Sequence, residues 1–340
     1  MLRRFVDGYA PGGKTGVLLV NLGTPARPSA SAVRGYLSEF LSDPRVVELP
    51  RWLWQIVLNG FILPLRAGKS ARAYRRIWMQ EGSPLLVLSR SLTAKVRQRL
   101  GENYEVVLGM RYGRPSIPEA LEALRQARVG RLLVLPLYPQ YAAATTGSTF
   151  DAVARVLQNW RYVPSLSLVS DYHDHPAYLR ALAEGIRRAR EGDDAPYLLF
   201  SFHGLPERSR TLGDPYADQC RRTAEGVAER LGLPATRWGL AYQSRFGRAE
   251  WLKPYCVDAL RELAARGVTA VDVVCPGFAV DCLETLDEIA RENRRIFLDA
   301  GGERFRYLPC LNDTDAHAEL LAGLLAGERF PVPPVQKYSV

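Results

Sequence analysis

The chain has 340 residues, of which 47% are hydrophobic and 24% charged, a balance typical of soluble globular proteins rather than disordered or membrane-spanning ones. Its 45 Lys and Arg residues outnumber 36 Asp and Glu residues, and the net charge of +9 favours an anionic partner. The basic residues are scattered and match no nucleic-acid-binding module, so a membrane surface or a small acidic ligand is favoured over nucleic acid.

Short aliphatic segments alternate with helical patterns along the first half of the chain. The predicted strands, each closed by Gly or Pro, are residues 17–22, 105–108 and 131–137. The predicted helices are residues 29–41, 85–100 and 116–127, the last of which opens with a Ser-Ile-Pro-Glu capping box. Strands that are apolar on both faces and alternate with helices are typical of a parallel, doubly wound sheet.

Residues 49–65, LPRWLWQIVLNGFILPL, are strongly apolar but too short to span a bilayer. The run is either a buried core helix or an exposed lip at a membrane or an apolar pocket. Five basic residues follow it closely: Arg66, Lys69, Arg72, Arg75 and Arg76. Because apolar and positively charged residues adjoin, the sequence favours an interfacial lip, a name kept here for residues 49–84.

The same succession of elements recurs in the second half. Predicted strands lie at residues 197–202, 237–242 and 270–274, and predicted helices at 218–231 and 252–266. The segment VLLVNLGTP at 17–25 matches LLFSFHGLP at 198–206, and LLVLPLYP at 132–139 matches VDVVCPGF at 271–278. The repetition predicts an α/β fold of two similar doubly wound, Rossmann-like domains, each with a parallel sheet flanked by helices, with a cleft between them.

The predicted domain limits follow from this repetition. We expect domains at residues 1–165 and 166–312, joined near 165–171. A C-terminal helix at 313–328 is expected to pack back on the first domain, and residues 329–340 to form a loose tail.

Polar side chains follow two of the predicted strands in the second half. His203 ends one strand, and Asp281 and Glu284 come shortly after another. Since open α/β sheets bind ligands at the carboxyl ends of their strands, these groups are expected at one crevice. Taken alone, His203 is either a structural residue or a proton acceptor or metal ligand.

Two further patterns leave alternatives open. Glu284, Glu288 and Glu292 lie four residues apart on one predicted helical face, as either solvated surface or a path for a hard cation. Arg111, which precedes Tyr112, either binds a carboxylate or forms a surface salt bridge. In SDYHDHPAY the sequence favours a helix start capped by Asp over a metal-binding pair of histidines.

Several classes of chemistry lack their usual motifs. The chain has no phosphate-binding loop, GxGxxG, HExxH or GxSxG motif. Its five cysteines show no spacing typical of a zinc or iron–sulfur site, and dispersed thiols suit a reducing compartment. The start of the chain lacks the apolar core of a secretion signal. We therefore expect a cytoplasmic protein that associates peripherally with a membrane.

Seven stretches, in this order, resemble the ferrochelatases, and the proteobacterial branch fits best. They are VNLGTP, YRRIW with GSPL, LPLYPQY with TTGST, FSFHGLP, GDPY, YQSRFG and PGFAVDCLETLDEI, and the resemblance runs from about residue 16 to about residue 325. It implies an enzyme that inserts Fe²⁺ into protoporphyrin IX in the last step of haem synthesis. Both compounds are then substrates, and no cofactor or iron–sulfur cluster is expected, since Ala143 stands where a cluster cysteine would be.

The resemblance also implies roles for individual residues. His203 and Glu284 would be the central catalytic pair, with Asp281 in support. Iron would be handled by His203, Glu284, Glu288 and Glu292. The porphyrin would be walled by Leu22, Tyr112, Tyr242, Trp251 and Phe278, and its propionates would contact Arg66, Lys69, Arg111 and Ser244. An anionic membrane surface and the oxidase that precedes this step in haem synthesis are the expected partners.

The sequence leaves the division of labour and the substrate open. His203 either takes the pyrrole protons while Glu284 delivers iron, or the reverse. A chelatase for coproporphyrin or sirohydrochlorin is the close alternative, and a non-catalytic haem carrier or a two-domain solute-binding protein the more distant ones. The apolar run at 49–65 favours protoporphyrin over more acidic tetrapyrroles.

Overall fold

Two four-stranded parallel sheets form the framework of the computed structural model. The structure describes residues 12–191, 196–247 and 249–327, so the basic start of the chain and the predicted tail lie outside the described residues. The strands of the first sheet are β1 (Thr15–Thr24), β2 (Tyr104–Gly113), β3 (Arg131–Pro136) and β4 (Ser165–Leu168). Those of the second sheet are β5 (Tyr197–His203), β6 (Trp238–Gln243), β7 (Ala270–Val274) and β8 (Arg304–Leu308).

Helices cover both sheets and form the lip. The first half contains α1 (Ala30–Leu41), α2 (Arg51–Val57), α3 (Leu63–Ile77), α4 (Pro84–Leu100), α5 (Ile117–Gln126) and α6 (Ser148–Leu157). The rest of the described chain contains α7 (Pro176–Ala189), α8 (Glu207–Thr211), α9 (Tyr216–Leu231), α10 (Cys256–Ala265), α11 (Arg294–Asp299) and α12 (Asp315–Ala326). Three π-helical segments, Leu58–Ile62, Ala143–Gly147 and Glu284–Asn293, and a 3₁₀ turn, Ala235–Arg237, complete the set.

The two halves repeat one topology. The strand orders are β2-β1-β3-β4 and β6-β5-β7-β8, so the matched segments VLLVNLGTP and LLFSFHGLP become the equivalent central strands β1 and β5. This confirms the predicted pair of doubly wound parallel sheets. Sequence patterns missed β4 and β8, because β4 is short and largely exposed and β8 alternates Arg with apolar residues. The expected link at 165–171 therefore begins with a strand.

One apolar core joins the halves. Buried side chains from both sheets, including Leu19, Leu135, Phe200 and Phe202, belong to a single packed cluster. Each sheet packs its other face against helices of its own half, in two separate clusters. The predicted cleft is therefore confined to the edge of this shared core, where the carboxyl ends of the strands emerge.

Helix α12 is the last described element and packs against α4 of the first half. Asp315 at its start forms ion pairs with Arg99 at 2.9 Å and Lys95 at 3.4 Å, both on α4. The Lys95 ammonium also donates to the Asp313 carbonyl at 2.6 Å. These contacts fasten the end of the second half to the first.

Two glycines allow strand ends to converge at the site. Gly23 has a φ of +110°, and a Cβ there would lie 1.7 Å from the Tyr112 carbonyl oxygen on the adjacent strand. Gly204 follows β5, and a Cβ there would lie 2.8 Å from the Gln243 carbonyl oxygen. The G-x-P ending shared by the two halves thus lets each central strand approach its neighbour closely.

A buried ion pair stabilises the second sheet. Asp272 on β7 is almost fully buried and accepts hydrogen bonds from Arg190 at 2.7 Å and Arg306 at 2.9 Å. Removal of one partner from a buried pair leaves a desolvated charge behind, which costs far more than the loss of an exposed pair.

We expect Asp272→Ala to lower the free energy of unfolding by about 3–5 kcal/mol, because Arg190 loses its buried carboxylate partner. Denaturant unfolding followed by circular dichroism measures this change. Asp258→Ala is the control, since that side chain is 66% exposed and lies 3.8 Å from Arg261, a geometry worth about 1 kcal/mol or less. Equal losses in the two variants would contradict the expectation.

Candidate active site

His203 is the last residue of β5 and is half-buried. Its Nδ1 lies 2.7 Å from the carbonyl oxygen of Gly204. Because a carbonyl oxygen only accepts, Nδ1 carries the hydrogen, and Nε2 keeps its lone pair when the ring is neutral. The imidazole lies 6.4 Å from the Phe278 ring, between ring centres. His203 is therefore held in the tautomer that can accept a proton or a metal at Nε2.

Gln243 lies beside His203 in the second sheet and hydrogen-bonds the backbone of Glu284. His203 and Gln243 are paired in the β5–β6 register at the carboxyl end of the sheet. The Gln243 amide donates to the Glu284 carbonyl oxygen at 3.0 Å and accepts from the Ser201 hydroxyl at 2.7 Å. The structure thus brings His203 and Glu284 to one edge of the second sheet, as their positions after strands predict.

Glu284 begins the π-helical segment and faces the first half. It lines a small cavity of about 10 Å³ together with Leu22, Tyr36, Tyr74 and Cys282. A cavity of that size holds about one water molecule. Leu22 occupies in β1 the position that His203 occupies in β5, so the two halves each contribute a wall.

Glu288 lies one turn further along the π segment. Its two carboxylate oxygens accept hydrogen bonds from the backbone N–H of Ser244 at 2.7 Å and from the Ser244 hydroxyl. Ser244 has a φ of +65°, which turns its N–H and hydroxyl toward the same carboxylate. Burial raises the pKa of Glu288, and the charge of Glu284 adds to this, against the Ser244 hydrogen bonds and the charge of His203.

Glu284, Glu288 and Glu292, called here the acidic row, do not lie on an ordinary α-helix. The sequence predicts an α-helical face, whereas residues Glu284–Asn293 form a π-helix, whose i→i+5 bonding widens each turn. Glu292, at the outer end, is about half exposed and accepts from Arg291 at 2.8 Å. The row therefore runs from Glu284, which lines the cavity, to Glu292, whose side chain is about half exposed.

Asp281 is buried, and hydrogen bonds occupy both of its oxygens. It accepts from the Thr285 hydroxyl at 3.0 Å, the Asn312 amide at 2.7 Å and the Tyr307 hydroxyl. These bonds tie the turn before the π segment to the segments at and after β8. Asp281 thus supports the site through the backbone that it anchors.

Arg111 and Tyr112 belong to a buried polar cluster around Asp43. The Arg111 guanidinium forms an ion pair with Asp43 and donates to the Ser148 carbonyl oxygen at 3.0 Å. The Tyr112 hydroxyl donates to Asp43 at 2.8 Å. Burial opposes ionisation of Asp43, yet hydrogen bonds from Ser148 and Tyr112 and the charge of Arg111 lower its pKa. Of the two interpretations of Arg111, the geometry favours the ion pair, buried rather than on the surface.

The other residues expected at the porphyrin surround the same edge. Trp251 packs beside Gly204, and its indole Nε1 is buried without a hydrogen-bond partner among the described residues. Tyr242 is almost fully buried below them, and burial raises the pKa of its hydroxyl. Arg66 places its guanidinium 4.2 Å above the ring centre of Phe246, and Lys69 is exposed on the next turn of α3.

The lip is one interrupted helix with two different faces. From α2 through the π segment to α3 it buries Trp54, Leu58 and Leu63 against α1. Its other face exposes six large apolar side chains: Leu49, Trp52, Leu53, Ile56, Phe61 and Leu65, between 44% and 76% exposed. No helix within the described residues is long and apolar enough to cross a bilayer.

The histidines at 173 and 175 have structural partners. His173 is buried with its Nδ1 2.7 Å from Asp171. His175, rather than Asp174, caps α7 by accepting from the Ala177 N–H at 3.3 Å. Within the described ranges, no group of three or more His, Cys, Asp or Glu side chains is already arranged as a metal cage.

Comparison with known proteins decides the family. The family model for ferrochelatase matches residues 14–328. The chain belongs to the ferrochelatase family. It is 57% identical to the ferrochelatase of Nitrosococcus oceani over 317 residues, covering 92% of this chain and 86% of that protein. It is also 57% identical to the ferrochelatase of Methylococcus capsulatus over 316 residues, covering 92% and 96%. The resemblance to proteobacterial ferrochelatases is confirmed.

Solved structures with the same fold are chelatases. The sirohydrochlorin chelatase SirB from Bacillus subtilis subspecies spizizenii, in complex with cobalt, aligns with a TM-score of 0.53 at 13% identity, covering 92% of this chain and 93% of SirB. CbiX, described as the terminal enzyme for siroheme biosynthesis in denitrifying bacteria, aligns with a TM-score of 0.51 at 16% identity, covering 93% and 100%. At these identities the similarity concerns the two-sheet fold.

Sequence reasoning missed Gln243, Tyr36 and Tyr74. Gln243 lies within the YQSRFG stretch, directly after the strand predicted at residues 237–242, and that position was the available signal. Tyr36 and Tyr74 sit inside ordinary helical patterns on α1 and α3. Only the packing of these helices against the π segment brings them to Glu284.

We expect Ser244→Ala to raise the pKa of Glu288 further, because the hydroxyl that stabilises the carboxylate is lost while its burial remains. Carboxyl-carbon NMR of the titrating glutamates measures this value. Ser209→Ala is the control, since its hydroxyl donates to the Pro206 carbonyl at 2.8 Å. A Glu288 pKa that is unchanged or lower in Ser244→Ala would contradict the assignment.

Proposed function

We propose that this protein inserts Fe²⁺ into protoporphyrin IX to form protohaem, the last step of haem synthesis. The observation that carries the proposal is the meeting of His203 and Glu284 at one edge of the second sheet, through Gln243, in a chain of the ferrochelatase family. The porphyrin occupies the space between the Leu22 wall of the first half and the Phe278 wall of the second.

Proton removal falls to His203 in this proposal. A free-base porphyrin must lose two protons from its inner nitrogens as iron enters. The Nδ1 hydrogen bond to Gly204 leaves the His203 Nε2 lone pair available to accept a proton. A neutral imidazole can take a proton at its free nitrogen and then release it to water.

Iron delivery falls to the acidic π segment. Carboxylate oxygens bind hard cations, and the row from Glu292 at the surface to Glu284 in the cavity offers successive ligands that replace the water shell of Fe²⁺. Strain on the planar ring, drawn from binding energy elsewhere on the macrocycle, exposes the nitrogen lone pairs to the metal.

The lip supports peripheral attachment to an anionic membrane. Protoporphyrin is poorly soluble in water and partitions into bilayers. The exposed apolar face of the lip, with Arg66, Lys69, Arg72 and Arg75 beside it, has the composition of an interfacial helix. The same apolar face favours protoporphyrin over coproporphyrin or sirohydrochlorin, whose additional carboxylates suit a more polar mouth. A cytoplasmic protein with this lip would receive the porphyrin from the preceding oxidase at the membrane surface.

We expect His203→Gln and Glu284→Gln each to lower the rate of iron insertion at least a hundredfold, because each removes a group that handles a proton or the metal. Loss of free-base porphyrin fluorescence under anaerobic conditions measures the rate. His175→Asn and Glu225→Gln, which change the same residue types away from the site, should retain activity. Normal turnover by His203→Gln would rule out its role.

Charge reversal of the lip should strongly weaken vesicle binding. Each basic residue near an anionic surface contributes roughly 1 kcal/mol, so replacement of Arg66, Lys69, Arg72 and Arg75 by Glu should weaken binding to phosphatidylglycerol vesicles at least about a hundredfold. Binding of the unaltered protein should also fall with added salt. The control reverses four exposed arginines elsewhere: Arg210, Arg221, Arg261 and Arg266. Equal binding by both variants in a sedimentation assay would exclude membrane attachment through the basic residues of the lip.

A further inference from the structure

A buried carboxylate ties the lip helix to the acidic π segment. Asp287 accepts from Arg76 on α3 at 2.8 and 2.7 Å, through both oxygens. It also accepts from Arg291 at 2.6 and 3.2 Å. We name these three residues the clamp. Arg76 belongs to the first half and Asp287 to the second, so the clamp bridges the halves at the site.

The geometry distinguishes the clamp from an ordinary surface pair. The Asp287 side chain is 7% exposed, whereas those of Arg76 and Arg291 are 41% and 45% exposed. Burial opposes ionisation of Asp287, yet the two arginines hold its pKa below the ordinary value. Planar, bidentate contacts between guanidinium and carboxylate fix orientation as well as distance.

Besides the clamp, two further contacts join α3 to the second half: apolar packing and a cation–π contact. Leu283, directly before the π segment, packs with Ala71 and Tyr74 of α3. At the other end of α3, Arg66 lies over Phe246, whose loop also carries Ser244, the partner of Glu288. Helix α3 is thus held to the second half on both sides of the cavity that Glu284 lines.

The clamp sits between two residues that would handle iron. Asp287 is adjacent to Glu288 and three residues beyond Glu284 on the π segment. The cavity walls opposite Glu284, namely Leu22, Tyr36 and Tyr74, all belong to the first half. The distance between the metal-handling side chains and that wall therefore depends on contacts that cross between the halves.

We propose that Arg76 and Asp287 are positioning residues for metal insertion, which fix the π segment and its Glu284 against the porphyrin-binding wall of the first half. This inference rests on the proposed function, and it assigns the two residues no contact with substrate. A loosened segment would place Glu284 less often in the reactive arrangement, while most of the porphyrin contacts would persist. The loss should thus appear in kcat rather than in KM for porphyrin.

Steady-state kinetics in detergent micelles test the inference without a contribution from membrane binding. We expect Arg76→Gln to lower kcat about tenfold with KM for protoporphyrin changed by less than about twofold. Arg76→Lys, which keeps the charge, should recover part of the loss. The double variant Arg76→Gln/Asp287→Asn should be no slower than Asp287→Asn alone, because both changes break the same contact.

The matched control is Arg295→Gln, which removes an exposed arginine just beyond the π segment. Any one of four results would overturn the inference. The first two are a kcat for Arg76→Gln within twofold of this control and a loss confined to KM. The other two are multiplicative losses of kcat in the double variant and an Arg76→Lys variant as slow as Arg76→Gln.

Hydrogen exchange provides a readout that needs no activity. Amides of residues 284–293 should exchange faster in Arg76→Gln than in Arg295→Gln in the absence of substrate, with thermal midpoints compared to confirm folding. Unchanged exchange would overturn the positioning role. If the unaltered protein failed to insert iron, the proposed function would be wrong. The hydrogen-exchange result would still show whether the clamp holds residues 284–293 in place.

Discussion

The apolar core shared by the two sheets is the constraint on which the site depends. Each sheet sends one face into this core, so the carboxyl ends of β1 and β5 emerge at the same edge. The His203 imidazole lies at that edge, whereas within the apolar cluster it would need hydrogen-bond partners to offset its loss of solvation. His203 and Leu22, which occupy matching positions in the equivalent strands β5 and β1, therefore become parts of one site although they lie in different halves.

Within the site, burial and hydrogen bonding give the carboxylates different tasks. Asp281 and Asp287 have both oxygens occupied by fixed donors, and they hold backbone and helix in place. Glu288 is buried against a single serine, which leaves its pKa raised. Glu284 lines the cavity itself. In the proposed function, the row that handles the metal is thus built on a π segment anchored by two carboxylates, Asp281 and Asp287, to which no contact with the ring is assigned. As proposed, the clamp also fixes the distance between this acidic row and the cavity wall that Leu22, Tyr36 and Tyr74 form in the first half.

The parts predictable from sequence are those in which local pattern and tertiary role agree. β1 and β5 are apolar on both faces and carry the repeated G-x-P ending, so the repeated fold and the place of His203 could be inferred from periodicity. β4 lacks that signal because it is short and largely exposed, and β8 lacks it because Arg alternates with apolar residues there. The partners of Asp43 and Asp287 come from residues 68 and 211 positions away, a distance at which no local pattern operates. For the same reason the sequence could not reveal that Arg111 is committed to an internal ion pair, or that the acidic row is π-helical.

We propose that one porphyrin ring binds between the halves, with His203 on one of its faces and Glu284 on the other. The decisive measurement is a crystal structure of the complex with protoporphyrin IX, with anomalous scattering used to locate a soaked divalent metal. We expect the ring between Leu22 and Phe278, with the metal on the Glu284 side. A ring bound elsewhere, or one that leaves His203 and Glu284 on the same side and out of reach of its nitrogens, would show that the two residues do not act on one porphyrin.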